Sequence, residues 1–144
     1  MTTAIDPQDM FTDGGSVPQM LWGIPGLSPW ALGPAYIMHD WIFLLHRCPN
    51  FAVKATPQER AITFDQSALV LAQVGKALIE TGLVEDNMLE PIVWAVRTRY
   101  ARDLWEAPGT AKDCEEPSAV TFRTLTSSRK VIDFKIPPVR RQRI

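Results

Sequence analysis

Apolar residues dominate the stretch from 35 to 46, where almost every position is hydrophobic. Gly33-Pro34 precedes this stretch, and proline suits the first helical position because that N–H has no partner inside the helix. Cys48-Pro49-Asn50 follows it and marks a stop. A helix that is apolar on all sides is a buried helix. The pattern therefore predicts a central, buried helix from Gly33 to about His46.

A second helix has the clearest start signal in the chain. Thr56-Pro57-Gln58-Glu59 has the form of a capping box with proline at the first helical position. Gly82 suits the C-terminal end. The apolar residues recur between them at helical spacing, at Ala61, Phe64, Ala68, Leu71 and Leu78. We therefore expect one helix from Pro57 to just before Gly82.

A third helix is predicted from about Asp86 to Glu106, where apolar and polar positions again alternate with helical spacing. Pro91 either kinks this helix or marks its true first turn. Arg97, Arg99 and Arg102 crowd its polar side. A solvated helix face is the simpler interpretation of these arginines, and phosphate binding is the alternative.

The two ends of the chain lack a helical pattern. Residues 1–31 contain four prolines and the turn sequence Asp13-Gly14-Gly15-Ser16, which predicts an irregular segment lying over the helices. Residues 107–118 are predicted to be a linker. Two short alternating runs, 120–123 and 132–136, predict a β-hairpin. The basic end of the chain predicts an extended arm for binding a partner, with Arg140, Arg141 and Arg143 as its contact residues.

The fold predicted from these patterns is mainly α. It has a three-helix core, an irregular proline-rich N-terminal segment, and a small C-terminal β-hairpin with an extended arm. We divide it into a helical domain, 1–106, and a C-terminal extension, 107–144. A chain of 144 residues is long enough to bury a core of its own.

Charge and composition narrow the function classes. The net charge is -1, which gives no general attraction to nucleic acid. No apolar run is long enough to cross a membrane, and the N-terminus lacks the pattern of a signal peptide. Cys48 and Cys114 share no CxxC spacing, which excludes a zinc site built on cysteines. Free thiols in a reducing compartment are the expectation for this pair, and a disulfide between them is the alternative.

His39-Asp40 is the sharpest chemical feature, because two polar groups stand within the most apolar helix. Burying an unpaired ionisable group is costly, so each side chain needs a partner. Neighbouring helical residues point in different directions, and the two partners must therefore differ. Asp65, on the second helix, and Asp13, in the glycine turn, are the candidate partners.

Two interpretations of these residues stay open. In the functional one, His39 is a general base oriented by Asp65, while Asp40 binds a hard cation such as calcium together with Asp13, Ser16 or backbone oxygens of the glycine turn. In the structural one, the same side chains form a polar network that caps helices and closes turns. The cofactor is therefore unknown from sequence, with calcium as the candidate.

The order of these motifs resembles a phage- and prophage-associated domain of unknown function (number 1353). The resemblance rests on Thr12-Asp13-Gly14-Gly15-Ser16-Val17-Pro18 followed by His39-Asp40-Trp41-Ile42-Phe43. Arg60 with Asp65, and later Ala95-Val96-Arg97, are similar to further family positions. The family tends to have tyrosine where this chain has Phe43.

The resemblance implies a phage or prophage context and no particular activity. It gives our leading hypothesis, a structural or host-interface component of a virion or its assembly, located in the virion or the host cytoplasm. Its expected partners are proteins of a larger assembly, including copies of the chain itself.

The alternative is a small hydrolase dependent on His39 and Asp65, directed at phospholipid or the cell envelope. Secreted calcium-dependent phospholipases offer an analogy, because they also place a His-Asp pair on a helix after a glycine-rich calcium loop.

Overall fold

The computed structural model describes residues 5–12, 32–84 and 89–118. These ranges are mainly helical and contain no strand, which confirms the predicted fold class. Six helices lie within them: α1 Gly33–Arg47, α2 Pro49–Ala52, α3 Pro57–Arg60, α4 Phe64–Glu80, α5 Leu89–Ala95 and α6 Arg99–Glu106. None of these helices is long and apolar enough to cross a membrane. The predicted β-hairpin and basic arm lie outside the described residues, as does the glycine turn.

Helix α1 is the central element, as its apolar sequence predicts. Pro34 lies in its first turn, and α1 ends at Arg47 just before the Cys48-Pro49 step. It contacts α2, α3, α4 and α6. Its fully buried side chains include Tyr36, Trp41 and Ile42, which point to different sides of the helix. A helix surrounded in this way must be apolar all round.

The predicted second helix is two helices, α3 and α4. The Thr56–Glu59 capping box forms as expected, but the helix it begins ends after one turn at Arg60. A second capping box, with Thr63 and Gln66, then begins α4. The prediction of one continuous helix was wrong because Thr63 caps the backbone N–H groups of a new helix. The predicted C-terminal glycine is confirmed, since Gly82 has a φ of 74°.

The predicted third helix is also two helices, separated at Thr98. The Thr98 hydroxyl accepts a hydrogen bond from the Ala101 backbone N–H and so begins α6. Pro91 lies in the first turn of α5, which was one of its two predicted roles. Helix α2 was not predicted, because Pro49 was interpreted only as the end of α1. Proline at this position instead begins the next helix.

The core consists of three clusters arranged along α1. The first lies between α1, α4 and α5, around Tyr36, Leu71 and Ile92. The second lies between α1 and α2, around Trp41 and Phe51. The third lies between α1, α4 and α6. Its aromatic rings meet mostly edge to face, with the Phe43 and Trp105 centroids 5.0 Å apart.

A disulfide joins Cys48 to Cys114, and the expectation of free thiols was therefore wrong. Sequence spacing could not show it, because the two cysteines are 66 residues apart while their Cα atoms lie 5.5 Å apart. The predicted linker 107–118 is attached to the corner between α1 and α2 by further contacts. Asn50 donates to the Cys114 carbonyl at 2.9 Å, and Arg47 forms an ion pair with Asp113 at 3.2 Å. The division at residue 107 stays a prediction.

Candidate functional site

The His-Asp pair lies in the middle of α1, and both side chains are buried. His39 is 0% exposed and Asp40 is 9% exposed. Because adjacent helical positions differ by about 100°, the two side chains have different surroundings. They must therefore be considered separately.

His39 is enclosed by the core rather than facing a cleft. Its ring packs against Phe43, with the ring centroids 4.6 Å apart. Neither ring nitrogen has a hydrogen-bond partner in the described part of the chain. Burial lowers the pKa of His39 to about 4, so the imidazole is neutral at pH 7. A base must reach the proton that it removes, and this ring has no solvent contact through which to reach one.

Asp65 does not orient His39, as the general-base hypothesis requires. Its side chain is 67% exposed and forms an ion pair with Arg102 at 3.4 Å. Asp65 occupies the first turn of α4, where a carboxylate interacts favourably with the positive end of the helix dipole. The Arg102 guanidinium also lies over the ring of Phe64, 4.4 Å from its centroid. The predicted pair of His39 and Asp65 is therefore not formed.

Asp40 connects α1 to the N-terminal segment. The Thr12 hydroxyl donates a hydrogen bond to Asp40 Oδ2. This contact joins the two sequence stretches that carry the family resemblance, the one beginning at Thr12 and the His39-Asp40 stretch. Asp13 and Ser16, the other predicted members of the polar network, lie outside the described residues.

Tyr36 lies one helical turn before Asp40 and was missed by sequence reasoning. It is 1% exposed, and its hydroxyl has no hydrogen-bond partner among the described residues. Burial, followed by the charge of Asp40, raises the pKa of Tyr36 to about 12. The phenol is therefore neutral at any physiological pH. The sequence did not indicate a buried hydroxyl at this position, because a tyrosine among apolar residues is also typical of an ordinary core helix.

A cleft of about 340 Å³ lies beside Asp40. Its described lining combines apolar and charged side chains of both signs: Phe11, Thr12, Asp40, Phe43, Leu44, Arg47, Lys112 and Asp113. His39 is not part of this lining. The described lining therefore offers two carboxylates, a hydroxyl and two cationic groups to the cleft, but no imidazole.

No group of three His, Cys, Asp or Glu side chains in the described ranges could hold a metal ion. Asp40 is the one predicted cation ligand that the structure describes. The other ligands of the calcium site suggested by the sequence, Asp13, Ser16 or backbone oxygens of the glycine turn, lie outside the described residues, and the site stays a prediction.

Glu59 is a buried carboxylate whose importance the sequence did not reveal. It is 4% exposed. Its Oε1 accepts hydrogen bonds from the Asp6 backbone N–H and the Trp41 indole, each at 3.1 Å. Its Oε2 accepts from the backbone N–H and the hydroxyl of Thr56, each at 2.8 Å. The capping-box pattern indicated the hydrogen bonds with Thr56 but not those with Asp6 and Trp41.

The four hydrogen bonds also determine the charge state of Glu59. Burial alone would raise its pKa. The donors outweigh that effect, because they stabilise the ionised carboxylate, and the pKa of Glu59 is lowered. Glu59 is therefore an ionised group that holds the N-terminal segment, α1 and α3 together.

The described polar groups thus form contacts between segments rather than an assembled catalytic set. The predicted arm residues, Arg140, Arg141 and Arg143, lie outside the described residues. No family model matches the chain, and comparisons with curated proteins and with solved structures give no significant match. The resemblance to the phage-associated domain therefore stays a prediction that rests on motif order.

Proposed function

We propose that this protein is a structural or host-interface component of a phage-type assembly. The observation that carries the proposal is the burial of His39, which leaves the candidate general base with neither solvent contact nor a carboxylate partner among the described residues. In this proposal, His39 and Asp40 stabilise the fold and do not carry out catalysis.

The contact between Thr12 and Asp40 supports the phage-type context. The family resemblance depends on two separate motifs, and a contact between them gives a physical reason for their occurring together. A buried carboxylate that accepts from a hydroxyl positions the segment carrying that hydroxyl, which is a structural role. No catalytic group is needed to explain the pattern.

The disulfide supports a location in the particle rather than the host cytoplasm. Disulfides persist in oxidising surroundings and are rare where glutathione and thioredoxin keep thiols reduced. Cys48 is 1% exposed, so its bond to Cys114 is shielded on that side. We propose that the bond forms once the protein has left the reducing cytoplasm.

Particle incorporation tests this function. Phage production would be induced in the strain that encodes the chain, and particles purified on a density gradient would be probed with an antibody to the protein. We expect the wild type and a His39→Leu variant to be present in the particles. Detection of the wild type only among free cellular proteins would contradict the proposal.

The hydrolase alternative is tested on the same purified protein. Release of fatty acid from phospholipid vesicles and of fragments from cell-wall material would be measured with calcium and with a chelator. We expect no turnover under either condition. Calcium-dependent turnover that is lost in His39→Gln would overturn the structural proposal.

A further inference from the structure

We propose that the face formed by α5 and α6 binds an acidic segment of a partner protein. The surface in question, the α5–α6 groove, is lined by Leu89, Glu90, Val93, Trp94, Arg97, Thr98 and Arg99. The inference rests on the proposed role as an assembly component and adds the binding surface and the chemistry of the partner.

An exposed tryptophan is the most unusual feature of this groove. Trp94 is 69% exposed, and nearby Tyr100 is 57% exposed. Helix α5 buries Ile92 and Ala95 on its opposite side, so its inner face already contributes to the core. Tryptophan is strongly buried on average in folded proteins. The exposure of Trp94 leaves a large apolar ring in water on the outer side of α5.

The groove is an open surface depression that is larger than most small-ligand pockets. Its volume is about 1210 Å³, above the usual range of about 300–1,000 Å³ for small-ligand pockets. Leu89 and Val93, both half-buried, form an apolar strip beside Trp94. An extended peptide with one apolar anchor fits such a surface better than a compact ligand does.

The charges of the groove determine the chemistry of the partner. Arg97 and Arg99 are exposed, and neither forms an ion pair within the described ranges. By contrast, Arg102 on the same helix as Arg99 is paired with Asp65. Among the described lining residues, Glu90 is the one acidic side chain, so their balance of two arginines against one glutamate is positive. An acidic segment complements this balance.

The residue types are also those that dominate binding energy at protein interfaces. Alanine scanning finds hot spots enriched in tryptophan, tyrosine and arginine, clustered near the centre of an interface. Trp94, Arg97 and Arg99 line the groove, and the exposed Tyr100 follows Arg99 directly in the chain. Nucleic acid is the less favoured occupant, because two arginines in a chain of net charge -1 neutralise few phosphates.

Fluorescence anisotropy with labelled probes tests the proposal on the full-length protein. The main probe is a fluorescein-labelled peptide with a single leucine between runs of glutamate, and the comparison probes are its lysine counterpart and oligo-deoxythymidine. We expect the glutamate peptide to bind, with an affinity that falls as salt increases. Trp94→Ala and Arg97→Glu should each weaken binding by about tenfold.

Two surface variants serve as matched controls. Val53→Ser removes an exposed apolar side chain, 78% exposed, outside the groove. Lys76→Glu reverses an exposed charge on α4. Both should bind the peptide within about twofold of the wild type, a difference well below 1.4 kcal/mol. Circular dichroism would establish that all four variants are folded.

Three results of the binding assay would overturn the proposal. These are absence of glutamate-peptide binding, equal weakening by groove and control variants, and tighter binding of oligo-deoxythymidine. Self-association that Trp94→Ala abolishes would also overturn it, because a second copy would then be the occupant.

Particle incorporation separates this inference from the proposed function. If the wild type enters particles but does not bind the glutamate peptide, the function stands and the groove assignment fails. If the wild type itself is absent from particles, the function fails, while peptide binding still decides the groove.

Discussion

Removing the Cys48–Cys114 disulfide should cost much of the stability of this domain. The bond closes a loop with a sequence separation of 66 residues. The chain-entropy relation gives about 4 kcal/mol for a loop of this length, because the cross-link restricts the unfolded chain. A domain of this size loses roughly 4 °C in Tm per kcal/mol, so a fall of about 15 °C is expected for Cys48→Ala/Cys114→Ala.

Thermal and urea unfolding of the wild type, with and without reductant, would measure this effect. Thiol titration of the denatured wild type should find no free cysteine before reduction. The reduced wild type should resemble the double variant. A Tm that is unchanged by reduction, or two titratable thiols in the untreated protein, would refute the reasoning.

A substitution at Gly109 tests whether the disulfide packs closely against the backbone of residue 109. A Cβ at this position would lie 2.5 Å from Cys114 Sγ and 2.6 Å from Cys48 Sγ. Gly109→Ala should therefore cost about 1–3 kcal/mol through overpacking against the sulfur atoms. The cost should shrink in the Cys48→Ala/Cys114→Ala background, which lacks both sulfurs. An equal cost in the two backgrounds would show that the close contact with the disulfide is not what requires glycine.

Three further predictions concern single residues. Glu59→Gln should destabilise the protein by about 3 kcal/mol, since it weakens several charge-assisted hydrogen bonds in a buried site. Because the pKa of Glu59 is lowered in the folded state, the wild type should also lose stability as the pH falls through that pKa, and the variant should lose less. Burial lowers the pKa of His39 from 6.5 to about 4 in the folded protein, and the resulting contribution to stability is about 3 kcal/mol. The neutral imidazole supplies this stability in full above pH 6.5, and the protein loses it as the pH falls towards 4. Urea titrations at several pH values should show that the His39→Leu variant lacks this loss of stability. Gly82→Ala should cost about 1 kcal/mol because its φ is 74°, whereas Gly33→Ala, with nothing within 4 Å of the added Cβ, should be neutral in the same thermal assay.

Local signals in the sequence predicted the starts of α1 and α3 correctly, but they missed the breaks within the two longer predicted helices. The beginning of α1 and the capping box at Thr56 were correct because proline and threonine act on the adjacent backbone. The breaks before α4 and α6 were missed at Thr63 and Thr98. Both are N-caps with their own local chemistry, but the apolar periodicity runs across them and suggested longer helices.

Contacts between distant segments were beyond the reach of sequence spacing. The hydrogen bond from the Asp6 backbone to Glu59 spans 53 residues, and the disulfide spans 66. Asp65 shows the opposite error, because its apolar neighbours suggested a buried partner for His39. Its place in the first turn of α4 instead directs the carboxylate to solvent and to Arg102.

The His-Asp pair divides into two roles because neighbouring positions on a helix face different surroundings. Asp40 accepts a hydrogen bond from Thr12 and so fixes the N-terminal segment against α1. His39 contributes a neutral ring to the core beside Phe43. A hydrolase that used His39 as its general base would need the opposite arrangement, with the imidazole open to a cleft and supported by a carboxylate. The burial that makes His39 a poor base is therefore the same property that makes it a core residue, and the role of α1 is to anchor the segments packed around it.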